Sequence, residues 1–136
     1  MSRASAITAR SYHGWSAELF ASSVVTSGPH KTIHLAGIAA NNPEDGSVRH
    51  PGDVAAQTRY TYEKVSELLA EHGATLADVV KITAYALDAA SLGDYSAARL
   101  EAFGDTPLSP HTFLVVKALA FPEMLIEIDV VACIPE

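Results

Sequence analysis

Between Asp53 and Gly73 the chain repeats at helical spacing. Val54, Thr58, Thr61/Tyr62, Val65, Leu68/Leu69 and His72 share one side, while Gln57, Arg59, Glu63, Lys64, Glu67 and Glu71 mostly fill the other. Asp53 is placed to cap the start and Gly73 to stop the end. A second helix is expected from Leu92 to Phe103, with Ser91 and Asp94 spaced as a capping box and Gly104 after the last turn. Elsewhere the period shortens to two. Val79 to Leu87 alternates Val80, Ile82, Ala84 and Ala86 with Lys81, Thr83 and Tyr85, which predicts a strand with unlike faces. Ser22 to Thr26 and Thr32 to Ala36 flank the turn residues Ser27-Gly28-Pro29 and read together as a hairpin. His111 to Lys117 and Leu125 to Cys133 supply two more strands, and Asn41 to Gly52 is a loop. Residues 1–12 lack a period and are expected to form a loose leader. The resulting order, β-β-α-β-α-β-β, predicts an α+β fold in which both helices cover one face of the sheet.

The bare sheet face is where chemistry is expected. Along the last strand Met124, Ile126, Ile128, Val130 and Ala132 form an apolar row for the helices. The other row, Leu125, Glu127, Asp129, Val131 and Cys133, carries two carboxylates side by side. Covering that face with a neighbouring subunit would desolvate at least one of them and raise its pKa, the mark of a functional carboxylate. The competing expectation is that both acids are solvated or paired with Lys81 or Lys117. His111, where a loop turns into a strand, is the second candidate.

Composition narrows the class. The chain has 136 residues, 49% hydrophobic, with 9 Lys+Arg against 16 Asp+Glu, which fits one acidic domain over 1–136 and argues against binding nucleic acid. No stretch has the length and apolarity of a membrane span or a secretion signal, and one cysteine, Cys133, builds no disulfide framework; a cytoplasmic location is expected. His30 and His34 on a strand lie too far apart to share a metal, and no phosphate loop or dinucleotide fingerprint is present. No metal and no cofactor is therefore expected.

Three segments together carry a resemblance: Asp53-Val54-Ala55-Ala56-Gln57-Thr58-Arg59, Leu76-Ala77-Asp78-Val79-Val80-Lys81-Ile82-Thr83 and Ile126-Glu127-Ile128-Asp129-Val130-Val131-Ala132. With Gly14-Trp15, Phe20 and His34-Leu35-Ala36-Gly37, they resemble the Rid family (YjgF, reactive intermediate deaminases) over roughly residues 14–133. The resemblance implies a chorismate-mutase-like fold, a homotrimer with inter-subunit clefts, and cofactor-free hydrolysis of enamine or imine metabolites to a carbonyl compound and ammonia. It implies that Glu127 positions water and that Ala36, Gly37 and Ile38 contact the substrate. The family's Pro-x-Arg-Thr pattern falls on Ser109-Pro110-His111-Thr112, so that His111 is expected to replace the arginine that clamps a substrate carboxylate. Ser22 stands where a tyrosine is usual and Ala97 near a common asparagine, and Ser109 and Phe103 complete the implied substrate-binding set. Two alternatives use the same cleft. One is a tautomerase, cyclase or lyase with His111 and Glu127 as acid and base; the other is a trimer that binds a small molecule without catalysis.

Overall fold

The computed structural model describes residues 5–136. The alternating segments form β1 (Ile7–Ser11), β2 (Ser23–Thr26), β3 (His30–His34), β4 (Ile38–Ala39), β5 (Val79–Ala86), β6 (His111–Val115) and β7 (Ile126–Pro135). The helical segments form α1 (Val54–Glu71) and α2 (Leu92–Phe103). The main sheet runs β3-β7-β5-β6, with β5 and β6 parallel and the other pairs antiparallel. Both helices pack on one face, giving the α+β architecture expected from the chain.

The apolar rows explain the packing. Ile82, Ala84 and Ala86 of β5 and Ile126, Ile128, Val130 and Ala132 of β7 share one core with Tyr62, Val65 and Leu69 of α1 and Tyr95 and Phe103 of α2. Each large aliphatic side chain buried this way contributes roughly 1.5–3 kcal/mol. A bulge between Val79 and Lys81 shifts the alternation at the start of β5. Val79 is buried there, and Val80, expected on the core face, is only partly buried.

The helix ends follow local chemistry. The Asp53 carboxylate accepts from the Ala56 N–H at 3.0 Å and caps α1. Replacing Asp53 with alanine is expected to cost about 1 kcal/mol of stability, read from the urea midpoint. An unchanged midpoint would show that the cap is energetically silent. The start of α2 differs from expectation: Ser91 already has helical angles and makes no side-chain cap. A 3₁₀ turn over Ala89–Ser91 feeds directly into α2, and Asp88 caps that turn through the Ala90 N–H. A reciprocal capping box forms instead at Thr75 and Asp78, ahead of β5.

Strand pairing departs from the expected hairpin. β2 pairs with β1, and β3 pairs with residues 131–135 of β7. The edge of β7 opposite β5 is open, and it offers β3 a complete ladder. The segment 7–11, expected within a loose leader, is strand β1, held by its ladder with β2. Arg10 also donates to the carbonyls of Ala77 and Leu108, which fastens β1 to the main body. Residues 1–4 of that leader lie outside the described residues.

One irregularity shapes the site. His34 pairs with Val131 and Ile38 with Ile128, so that Leu35, Ala36 and Gly37 face only Val130 and Asp129. The extra residue makes a bulge between β3 and β4, and Gly37 passes over the acidic row of β7.

Candidate functional site

The face turned away from the helices carries Glu127, Asp129 and Val131 of β7, Lys81, Thr83 and Tyr85 of β5, and Thr112 and Leu114 of β6. Tyr85 lies directly across from Glu127, and Thr83 from Asp129. The Tyr85 hydroxyl donates to Asp129 Oδ2 at 2.9 Å. A Cβ built on Gly37 would lie 2.7 Å from Glu127 Oε2 and 3.3 Å from Asp129 Oδ1, so both carboxylates converge beneath this glycine. Partial burial, and then the charge of Asp129, raises the Glu127 pKa. Hydrogen bonding to Asp129, with burial and the charges of both acids, raises that of the Tyr85 phenol.

Lys81 does not pair with either acid. Its ammonium donates to Thr112 Oγ1 at 2.7 Å, and it makes no ion pair among the described residues. The face thus combines one cation, two carboxylates and a phenol. Among the described residues no three His, Cys, Asp or Glu side chains gather as a metal site.

The expected His111–Glu127 pair does not form, because strand parity separates the two. His111 pairs with Ile82, a core residue of β5, and its side chain enters the helix side of the sheet. There Nε2 lies 2.7 Å from the Tyr95 hydroxyl, which in turn lies 2.6 Å from that of Tyr62. Burial, reinforced by the Arg99 and Lys81 charges, pushes the His111 pKa down to about 3. Burial likewise pushes Tyr95 up to about 12. His111 therefore stays neutral in the fold at physiological pH and serves as a core hydrogen-bonding group. The residue of this segment that shares the face of Glu127 is Thr112. Counted from Pro110, the arginine of Pro-x-Arg-Thr also falls on Thr112 rather than His111.

This depressed pKa has a thermodynamic consequence. An unfolded histidine binds its proton near pH 6.5, whereas folded His111 resists protonation until about pH 3. The contribution is complete above about pH 6.5 and is lost as pH falls from there towards 3, by at most about 1.4 kcal/mol per pH unit. Urea melts at pH 7 and pH 5 should show a steeper loss of stability for wild type than for His111→Gln. Equal losses would refute the assignment.

The other expected site residues divide. Ala36 and Gly37 are exposed beside the carboxylates, and Ile38 follows them with its side chain packed on the core. Phe103 is 2% exposed and packs edge-on against Tyr62, inside the core. Ser109 is fully buried, and its carbonyl accepts from the Ala21 N–H. Ser22 is exposed beside the β1–β2 ribbon, where its N–H donates to the Ser11 carbonyl. The structure thus brings Glu127, Ala36 and Gly37 together and sets His111, Phe103 and Ser109 apart. Lys81, Thr112 and Tyr85 were missing from the expected set. For Lys81 and Tyr85 the signal was the polar half of the β5 alternation; Thr112 had none, because its row on β6, shared with Leu114, is no more polar than that of His111.

This arrangement, two helices over one side of a mixed sheet and a bare side carrying acids, defines a class of small α+β proteins. Residues 17–134 match the family described as Endoribonuclease L-PSP. A RutC family protein of Pyrococcus abyssi is 32% identical over 100 residues, 74% of this chain and 76% of that one. Among solved structures, a Rid family protein of unknown function from Yersinia pestis, YyfB, superposes with a TM-score of 0.77 at 34% identity, covering 86% of this chain and 88% of its own. A Mycobacterium tuberculosis member of the YjgF/YER057c/UK114 family gives 0.62 at 29% identity, covering 91% and 97%. The chain belongs to this family, which its structural neighbours call Rid or YjgF.

Proposed function

We propose that the bare face binds a small enamine or imine metabolite and hydrolyses it, through its C=N form, to a carbonyl compound and ammonia. The observation that carries this reading is the convergence of Glu127 and Asp129 beneath Gly37, on a face that the helices leave free. Glu127 orients water: its carboxylate takes a proton from the water as the oxygen attacks the imine carbon, and the carbon–nitrogen π electrons move to nitrogen. Proton transfer to nitrogen and cleavage of the carbon–nitrogen bond then release ammonia. The raised pKa of Glu127 favours this dual use, since a carboxyl that titrates closer to neutrality both accepts and donates protons. No cofactor enters the scheme. Lys81 replaces His111 in the reading as the group that meets an anionic substrate, because it is the cation on this face.

The family resemblance adds a homotrimer, with clefts in which a neighbouring subunit covers the same face. Leu114, 45% exposed on the bare side, is consistent with such a cover. Phosphate-rich RNA is a poor fit to a surface whose charges are mainly carboxylates. No helix among the described residues is long and apolar enough to cross a membrane, and the proposed setting is the cytoplasm.

The test is ammonia and keto-acid release from imines made in situ by an amino-acid oxidase. Acceleration over the buffer rate supports hydrolysis. No acceleration with any 2-imino acid would remove it and leave a small-molecule binder.

A further inference from the structure

We propose that Asp129, held by Tyr85, is a second catalytic carboxylate, and that with Glu127 it interconverts the enamine and imine forms of the substrate. This inference rests on the reading of the bare face as a site for enamines and imines.

The geometry assigns the two oxygens of Asp129 different tasks. Oδ2 accepts the Tyr85 hydroxyl at 2.9 Å, which fixes the carboxylate and supports its charge. Oδ1 is free of that bond and turns towards the point beneath Gly37 that Glu127 Oε2 also approaches. The two acids therefore meet against the backbone of Gly37, from adjacent positions of the same strand face. Their environments differ. Glu127 is partly desolvated and lies beside a like charge, so it holds its proton more readily; Asp129 has a phenol donor. Neighbouring carboxyls made unlike by their surroundings form an acid and base pair. The other ionisable groups on this face are Tyr85 and Lys81 of β5, His30 and His34 of β3, opposite Pro135 and Val131, and Cys133 of β7.

The step balances without an oxidant or any added group. Asp129 removes a proton from the enamine nitrogen, and the electrons of the N–H bond become the π bond of C=N. The electrons of the C=C bond take the proton from the acid form of Glu127, forming a C–H bond on the adjacent carbon. The product is the neutral imine. Glu127 is left as carboxylate, the form that orients water, and Asp129 carries the proton. Return of that proton through the adjacent groups or solvent resets the pair. An enamine cannot take water at its nitrogen-bearing carbon until the neighbouring carbon is protonated, so this step allows one site to accept both tautomers. The same exchange run backwards removes a proton from the carbon of an imine.

Deuterium labelling tests the idea separately from hydrolysis. An amino-acid oxidase in heavy water generates two imines: one from leucine, whose carbon beside C=N bears hydrogen, and one from phenylglycine, whose corresponding carbon bears none. Mass spectrometry reads deuterium on that carbon of the leucine-derived keto acid, and ammonia reads hydrolysis of both. Wild type is expected to accelerate labelling at least about tenfold over buffer. Asp129→Asn and Tyr85→Phe should each lower the ratio of label to hydrolysis at least about fivefold. Tyr85→Phe keeps the ring, so it probes the hydroxyl as a positioning group. Its labelling rate at saturating imine should fall while the KM for hydrolysis holds, a split that a purely structural role would not produce. Wild type that hydrolyses the phenylglycine imine but adds no label beyond buffer would overturn the inference and leave hydrolysis intact. Labelling unchanged in Asp129→Asn would remove Asp129 from it. Wild type that accelerates neither reaction would overturn both readings.

Discussion

Glu127→Gln is expected to lower imine hydrolysis by about 100-fold or more, the usual contribution of a general acid or base. The substitution keeps the size and hydrogen-bonding reach of the side chain but removes the proton it gives or takes. Its neighbours support a small structural effect: Ile126 and Ile128 hold the strand in the core, and the Glu127 side chain is only partly buried. It also relieves the repulsion with Asp129, so stability should stay level or rise slightly. Ammonia release from an oxidase-generated imine, measured beside thermal melting, separates the two effects. Unimpaired turnover in a folded Glu127→Gln protein would place the chemistry elsewhere.

Gly37→Ala is expected to lower the same activity by about 10–100-fold while leaving the fold nearly intact. The cause is space. Gly37 has no positive φ, so its backbone alone would tolerate a side chain. An added methyl would lie 2.7 Å from Glu127 Oε2, closer than such atoms approach, and 3.1 Å from its Cδ, a tight contact. Glu127 can swing its flexible end away, which costs little stability but moves the carboxylate from its place beside Asp129. The expected signature is a fall in kcat with a small change in Tm. A large fall in Tm with normal activity per folded molecule would mean that Gly37 serves packing, and full activity would show that Glu127 works from another position.

The difference between these residues and His111 shows what a linear reading carries. Periodicity placed α1, α2, β5 and β7 within a few residues, because each buries a continuous apolar row and alternation or helical spacing records that row in the chain. The acids of β7 were legible for the same reason: Glu127 and Asp129 occupy the polar half of a strict alternation. His111 was legible as a polar residue at a loop-to-strand edge, but a lone strand does not say which of its faces looks inward. That depends on the partner register, and pairing of His111 with Ile82 turns it towards Tyr95. Phe103 and Ser109 failed likewise: both are near the expected cleft in sequence, but their side chains end in the interior.

The sequence by itself determined the helices, most of the strands, the apolar layer and the presence of two acids on the opposite row of β7. These follow from local spacing, which short-range geometry reads directly. Only the tertiary structure decided that β2 joins β1 instead of β3, that Gly37 crosses the acids in a bulge, that Tyr85 meets Asp129 and that Thr112, not His111, shares their face. Each of these depends on long-range strand register, where a shift of one residue exchanges the two faces of a sheet.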